Sequence, residues 1–198
     1  MRRTILGLAI AAAVMTGAGQ AEAGKKAGVT MPDTITVAGR SLILNGMGLR
    51  EATFLKIDVY VAGLYLEHAS SSPAAIIAAD EVKQLVLRFV RDVDRADIVE
   101  AWNAGFAGNA TVPVATLRPL IDRLNGWMPK FSDGDTLTFR YVPGDGVTVE
   151  INGARKGVIN DANFARSLFA IWLGPKPPTA DLKRGLLGSH PVARMEAR

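Results

Sequence analysis

The amino-acid sequence predicts an α+β layer fold, an antiparallel sheet with helices packed on it. Three observations predict it. Apolar residues alternate over short runs joined by hairpin-type turns, helical stripes interrupt those runs, and the segments follow the order strands, helices, strands, helices. No internal repeat or low-complexity linker divides the chain.

The amino end reads as an address rather than as part of the fold. Arg2 and Arg3 precede an uncharged apolar run over residues 5–15, and a small, polar stretch then ends in Ala21-Glu22-Ala23. That is the pattern of a secretion signal cleaved after Ala23. The run is well short of the roughly 20 residues that span a bilayer. No other apolar stretch approaches that length, so the mature chain is expected to carry no membrane span. Cleavage removes two arginines and one glutamate, which takes the formal charge from +4 to +3 and leaves 175 of the 198 residues. That length suits one well-buried core. The sequence has no cysteine, so an exported chain must stand on packing without disulfides.

From the start of the mature chain, residues 24–33 read as a flexible lead-in. Residues 34–37 and 40–44 form a hairpin about Ala38-Gly39. A long strand is expected over 55–67, with Gly63 marking a bulge or a close backbone approach. Ser72-Pro73 opens a short helix to residue 79, and a strand follows over 83–89 with Leu85, Leu87 and Phe89 on one face.

Asp94 is a candidate N-cap with Asp97 three residues on, a variant of the capping box. Ile98, Trp102 and Phe106 then make one apolar stripe. Leu117, Leu120, Ile121 and Leu124 make a second, in which Pro119 is tolerable in the first turn and Gly126 is the stop. Leu137, Phe139 and Tyr141 alternate up to the turn at 143–146. Val147, Val149 and Ile151 alternate down to Asn152-Gly153, a tight primed turn into 156–159. Asp161 caps a helix with Phe164, Leu168, Ile171 and Trp172 on one face, stopped by Gly174-Pro175. Residues 180–187 form a short last helix, and 188–198 a tail.

Several kinds of chemistry have no footing here. Two histidines, His68 and His190, without cysteine do not suggest a zinc site. Ser189 and His190 lie in the tail without an orienting shell for nucleophilic catalysis. No glycine loop of phosphate-binding type opens a helix, and no basic cluster interleaved with aromatics suggests nucleic acid. No cofactor is expected. The carboxylates Asp92, Asp94 and Asp97 sit where a helix begins, a place that capping and dipole stabilisation explain.

The segment that stands out is Asn45-Gly-Met-Gly-Leu-Arg50, followed by Tyr60-Val-Ala-Gly-Leu-Tyr-Leu-Glu67. A glycine pair lets the backbone pass close to something. The arginine then projects from a strand end as a planar fork of donors suited to a carboxylate or an enolate oxygen. By themselves these residues also fit an exposed loop arginine.

The motif Gly46-x-Gly48-x-Arg50 with Gly63-Leu-Tyr-Leu-Glu67 resembles the signature of the chalcone isomerase superfamily. Ile171-Trp-Leu-Gly174, after the Asn152-Gly153 hairpin, resembles its carboxy-terminal part, and more closely the bacterial exported branch. The resemblance runs from about Thr34 to Leu187. It implies an open-faced sandwich, a large antiparallel sheet covered on one side by helices, and a periplasmic location.

In the isomerases of that superfamily the strand-end arginine helps hold the substrate's oxyanion, and Arg50 matches it. Their strand threonine is replaced here by Tyr60. Their tyrosine and asparagine fall near Arg95 and Trp102, and their polar residue before the last helix's glycine falls near Ile171 and Trp172. Each donor lost from such a site costs on the order of 10²-fold in rate. The resemblance therefore points away from catalysis. In the fatty-acid-binding branch an arginine and a tyrosine at these two places hold the ligand's carboxylate, and Arg50 with Tyr60 resembles that pair.

The expectation is a non-catalytic periplasmic protein that binds a small amphipathic carboxylate such as a fatty acid in a sheet–helix cleft. Arg50, Tyr60 and Trp102 are the ligand-binding candidates. Phe54, Trp102, Phe106, Phe169 and Trp172 are candidate walls, and ordinary core is the competing reading for most of them. Two alternatives stand beside it. One is an isomerase acting on an enone or polyphenol, with Arg50 at the oxyanion and water or Arg95 assisting. The other is an envelope module that binds a partner. Oligomeric state is left open.

Overall fold

The computed structural model describes residues 23–52 and 57–188. The expected leader over 1–22, the candidate wall Phe54 and the tail over 189–198 lie outside the described residues. A seven-stranded antiparallel sheet runs in simple chain order: β3 (Thr34–Val37), β4 (Arg40–Ala52), β5 (Ile57–Leu66), β6 (Lys83–Phe89), β7 (Thr136–Val142), β8 (Gly146–Ile151) and β9 (Ala154–Ile159). A separate two-stranded hairpin, β1 (Ala23–Lys26) and β2 (Val29–Pro32), precedes it. Five helices complete the chain: α1 (Pro73–Ala78), α2 (Arg95–Asn109), α3 (Val114–Trp127), α4 (Ala162–Leu173) and α5 (Ala180–Leu187). The predicted α+β class, an antiparallel sheet with helices packed on it, is what the chain adopts.

The alternation along each strand decides which face is covered. Tyr60, Ala62, Leu64 and Leu66 of β5 join Leu85, Leu87 and Phe89 of β6, and Leu137, Phe139 and Tyr141 of β7, in the main core. The apolar stripes of α2 (Ile98, Trp102, Phe106), α3 (Leu117, Ile121, Leu124) and α4 close that core from above. Helix α4 is buried on nearly every side, which makes it the centre of the helical layer. Burying a large apolar side chain contributes about 1.5–3 kcal/mol each, so this face carries most of the stability. The opposite face holds a smaller cluster of Met31, Val37, Leu42, Val61, Tyr65 and Val82.

Several local features differ from what the sequence suggested. Residues 24–33 are a structured hairpin rather than a flexible lead-in. Ala27 and Gly28 make its turn with φ of 46° and 78°, and the Gly24 amide donates to Asp33 Oδ1 at 3.1 Å. Met31 inserts over Gly63, where a Cβ would stand 2.2 Å from its sulfur. Gly63 is thus a close approach and not a bulge. The strand from Arg40 continues past Leu44 to Ala52, with pairing shifts at Leu44/Gly46 and Arg50/Glu51 instead of a break.

At α2, Asp94 occupies the N-cap but makes no side-chain cap bond, so the capping box is not formed. Pro119 sits beyond the first turn of α3, and Gly126 does not stop that helix, which runs on to Trp127. The tertiary stripe overrides both local signals. Strand β9 begins two residues before 156, because Asn152 and Gly153, with φ of 50° and 77°, complete the tight turn at once. Caps at Asp161 and Thr179 do form, accepting from Phe164 N at 2.7 Å and Leu182 N at 3.2 Å.

Candidate functional site

In β4, the residues Gly46, Gly48 and Arg50 pair with Leu64, Ala62 and Tyr60 of β5. They are spaced two apart, so all three face the helices. The first two lie under α5. A Cβ on Gly46 would stand 2.2 Å from the Gly185 carbonyl oxygen, and one on Gly48 would stand 2.3 Å from that of Leu182. What the glycine pair passes close to is therefore this chain's own last helix. Asn45 locks the same junction, donating through Nδ2 to the carbonyls of Ser70 (3.0 Å) and Leu186 (2.9 Å) and accepting from Ser70 N (2.8 Å).

The third inward position reaches past that helix. Arg50 and its cross-strand neighbour Tyr60 line a cavity of about 560 Å³ between the sheet, α2 and the α4–α5 connection. Directly paired residues in an antiparallel ladder project to the same side, so the guanidinium and the phenol stand side by side. Arg50 is half-buried, and its Nη1 donates to the Glu51 carbonyl, which holds the fork at the strand's pairing shift. Tyr60 is buried, and its hydroxyl oxygen accepts a hydrogen bond from Trp172 Nε1 at 3.0 Å. Burial pushes the Tyr60 phenol up to about 12, against the Trp172 bond and the Arg50 charge. At ordinary pH it is therefore a neutral hydroxyl and not a phenolate base.

The remaining lining is largely apolar. Trp102 and Ile98 come from α2, Val59 from β5, Ile171 from α4, and Pro177 and Pro178 from the connection to α5. Small residues on α2 make room: Ala101, Ala104 and Gly105 line the space, and Gly105 has Ile171 Cγ2 where a Cβ would come within 2.7 Å. The far wall is tied down by Asn109. Its Nδ2 donates to the Gly105 and Lys176 carbonyls at 2.9 Å each, and its Oδ1 accepts from Lys176 N at 2.8 Å. Arg91, Lys176, Asp92 and Asp97 stand exposed around the mouth. Asp92 is held below the ordinary carboxylate range, first by its bond with Lys130 at 3.1 Å and then by the Asp133 amide.

The structure brings Arg50, Tyr60 and Trp102 to one cavity, and it separates them from part of the expected wall. Phe106 packs on Phe164, and Phe169 lies under Lys83; both belong to the core. Trp172 sits one layer deeper, edge-on to Trp102 at 5.5 Å and tilted against Phe139 at 5.8 Å. Arg95 turns away, donating to the carbonyls of Met128 (3.0 Å) and Asn125 (3.1 Å) and so bracing α2 against the end of α3. Reasoning from sequence missed Ile171 as a wall, and also Lys176 to Pro178. The small stripe Ala101, Gly105 and Gly108 at helical spacing was the available signal for the former.

A broader groove of about 880 Å³ lies on the other face, under the β1–β2 hairpin. Its phenol, Tyr65, donates to the Pro32 carbonyl at 2.9 Å and is already committed. Among the described residues no group of histidine, cysteine or carboxylate side chains could hold a metal ion. No described helix is long and apolar enough to cross a membrane.

This sheet-and-helix frame, with an arginine and a tyrosine paired at a strand end beneath a helical cover, defines a class. The family model for chalcone isomerase-like proteins matches residues 23–188. The chain belongs to the chalcone isomerase-like family. Among solved structures, an Arabidopsis thaliana fatty-acid binding protein superposes with a TM-score of 0.69 at 18% identity, covering 84% of this chain and 96% of that one. That likeness shows the fold. No curated protein matches the sequence.

Proposed function

We propose that this is a non-catalytic, exported chalcone isomerase-like protein of the periplasm that binds a small amphipathic carboxylate such as a fatty acid. The observation that carries the reading is the Arg50–Tyr60 pair at one side of a largely apolar cavity of about 560 Å³ with charged residues at its mouth. That volume falls within the range of small-ligand pockets, and the chemistry is of the usual kind, apolar walls with a few fixed polar groups. A charged fork and a neutral hydroxyl donor together suit the two oxygens of a carboxylate. The likeness to a plant fatty-acid binding protein supports the ligand class. The apolar leader with Ala21-Glu22-Ala23 supports export.

Catalysis is disfavoured by what surrounds Arg50. Tyr60 stays protonated, and Arg95 spends its guanidinium on two carbonyls. Arg95 is therefore not free to act as a companion to an oxyanion, and Tyr60 can donate a hydrogen bond but is no general base.

The test is to delipidate the purified protein and titrate fatty acids by calorimetry or fluorescence. Saturable binding is expected, weakened roughly tenfold or more in Arg50→Ala, since a charged hydrogen-bonding partner of the head group is lost. No saturable binding, or binding unchanged in Arg50→Ala, sinks the reading. Mass spectrometry of the protein exported in its own host is expected to show a copurifying carboxylate. A chalcone that loses its absorbance faster than the spontaneous rate on mixing would argue for the isomerase instead.

A further inference from the structure

The cavity's hydroxyl is set by a residue that does not line it. Trp172 Nε1 lies 3.0 Å from Tyr60 Oη in a buried bond. An indole nitrogen only donates, so the tyrosine oxygen must be the acceptor here. A phenolic proton prefers the ring plane, where it has two positions. The indole N–H occupies the oxygen from one side and leaves the proton to the other.

Neither ring has room to renegotiate. Trp172 is 1% exposed and wedged between Trp102 and Phe139, and Tyr60 rests edge-on against Phe89 at 5.7 Å. Among the described residues no protein group accepts the Tyr60 proton. Arg50 beside it also offers donors only. Trp102, on the same cavity, has a buried indole N–H without an acceptor among the described residues. Tyr60, Arg50 and Trp102 thus each have a hydrogen to give at this end of the cavity.

We infer that Trp172 is a positioning residue that makes Tyr60 a one-way donor, and that the cavity thereby selects head groups of bare acceptor oxygens over head groups that carry a hydrogen of their own. This rests on the carboxylate reading above and gives it a cause beyond charge. A site built of donors leaves a hydroxyl hydrogen facing other hydrogens, which costs more than a missing attraction.

The experiment measures dissociation constants for dodecanoate and dodecanol, two probes of one chain length, on the full protein and four variants. In Trp172→Phe the hydroxyl of Tyr60 is freed to turn, and the carboxylate-to-alcohol preference is expected to narrow by roughly three- to tenfold. In Tyr60→Phe it narrows to a similar degree, and adding Trp172→Phe to Tyr60→Phe changes it no further. A purely structural role for Trp172 would weaken both probes together and leave their ratio alone. That result overturns the inference, as does a wild-type ratio in Tyr60→Phe. Should Trp172→Phe fail to fold, Trp172→Met, which also lacks the N–H, takes its place under the same criterion. The two readings fail separately. Loss of dodecanoate binding in Arg50→Ala with an unchanged ratio in Trp172→Phe sinks this inference alone, and a wild-type protein that binds no dodecanoate sinks the carboxylate reading beneath it.

Discussion

Strands β4 and β5 form one ladder with two different ends. Toward one end, Gly46 and Gly48 face Leu64 and Ala62 beneath α5, with the helix backbone in van der Waals contact. Toward the other, Arg50 faces Tyr60 beneath open space. The strands, the face and the alternation are the same. The difference lies in what stands above: a short helix in one case, and in the other a gap bounded by α2 and the Lys176 segment. The comparison separates the two halves of the glycine–glycine–arginine motif. The glycines are architecture, and the arginine is the position left free for chemistry.

A valine at Gly48 should break the contrast most severely, because the obstacle is the Leu182 backbone and not a yielding side chain. Gly48→Val is expected to lose about 3 kcal/mol or more in urea unfolding, at or beyond the usual overpacking range. Arg50→Ala, two residues on, is expected to change stability by less than about 0.5 kcal/mol while weakening the carboxylate. Equal losses from the two substitutions would erase the distinction between the ends.

Next comes the wall of the open end. Asn109→Ala removes three hydrogen bonds, two of which hold Lys176 to α2, and about 2 kcal/mol of stability should go with them. Fatty-acid affinity should fall as well, because the wall is no longer fixed. A binding curve unchanged in this variant would show that the far wall is dispensable.

The ends also differ in how they respond to pH. Lys83, paired with Leu66 at the closed end, is buried over the rings of Tyr141 and Phe169 and donates to the carbonyls of Ile76 and Ala79. Burial pushes its ammonium down to about 8, against the opposing charges of Asp80 and Glu81. The folded state therefore binds fewer protons than the unfolded chain between about 8 and 10.5, and stability rises with pH across that window. Tyr60, at the open end, behaves oppositely. Its phenol is raised to about 12, so its contribution is present below 10 and is lost as pH climbs toward 12. Tyr65 and Tyr141, also raised to about 12 by burial, add to that loss. Urea unfolding from pH 7 to 10 should show a net gain of roughly 1–2 kcal/mol that Lys83→Met flattens.

Helix caps supply the smallest effect. Asp94→Ala should cost less than about 0.5 kcal/mol, since its side chain makes no cap bond. Asp161→Ala should cost about 1 kcal/mol, since that carboxylate accepts from the Phe164 amide. Equal values would mean that the N-cap position matters without its hydrogen bond.

What the sequence disclosed follows from the range of the forces involved. Strand β6 and helix α5 agree with the expected limits, because alternation, caps and stops are local. The hairpin over residues 23–32 was hidden, since Gly24 to Lys26 carry no apolar pattern; what holds it is Met31 slotting over Gly63, a contact across the fold. Arg50, Tyr60 and Trp102 could be singled out from motif and resemblance. The Lys176 wall could not, because its place depends on Asn109, 67 residues earlier in the chain. The glycine pair could be seen to need a close neighbour, but nothing local says that the neighbour is α5.

That last pairing has a bearing on biogenesis. Helix α5 is the last described helix and β4 is the second strand of the main sheet, with Asn45 and Leu186 bonded across 141 residues. During synthesis from the amino end, the groove over Gly46 and Gly48 stays bare until α5 has emerged. The closed end of the ladder is therefore completed only when α5 packs on it. A chain cut short before Ala180 should leave that groove exposed and be the form that proteases and chaperones recognise.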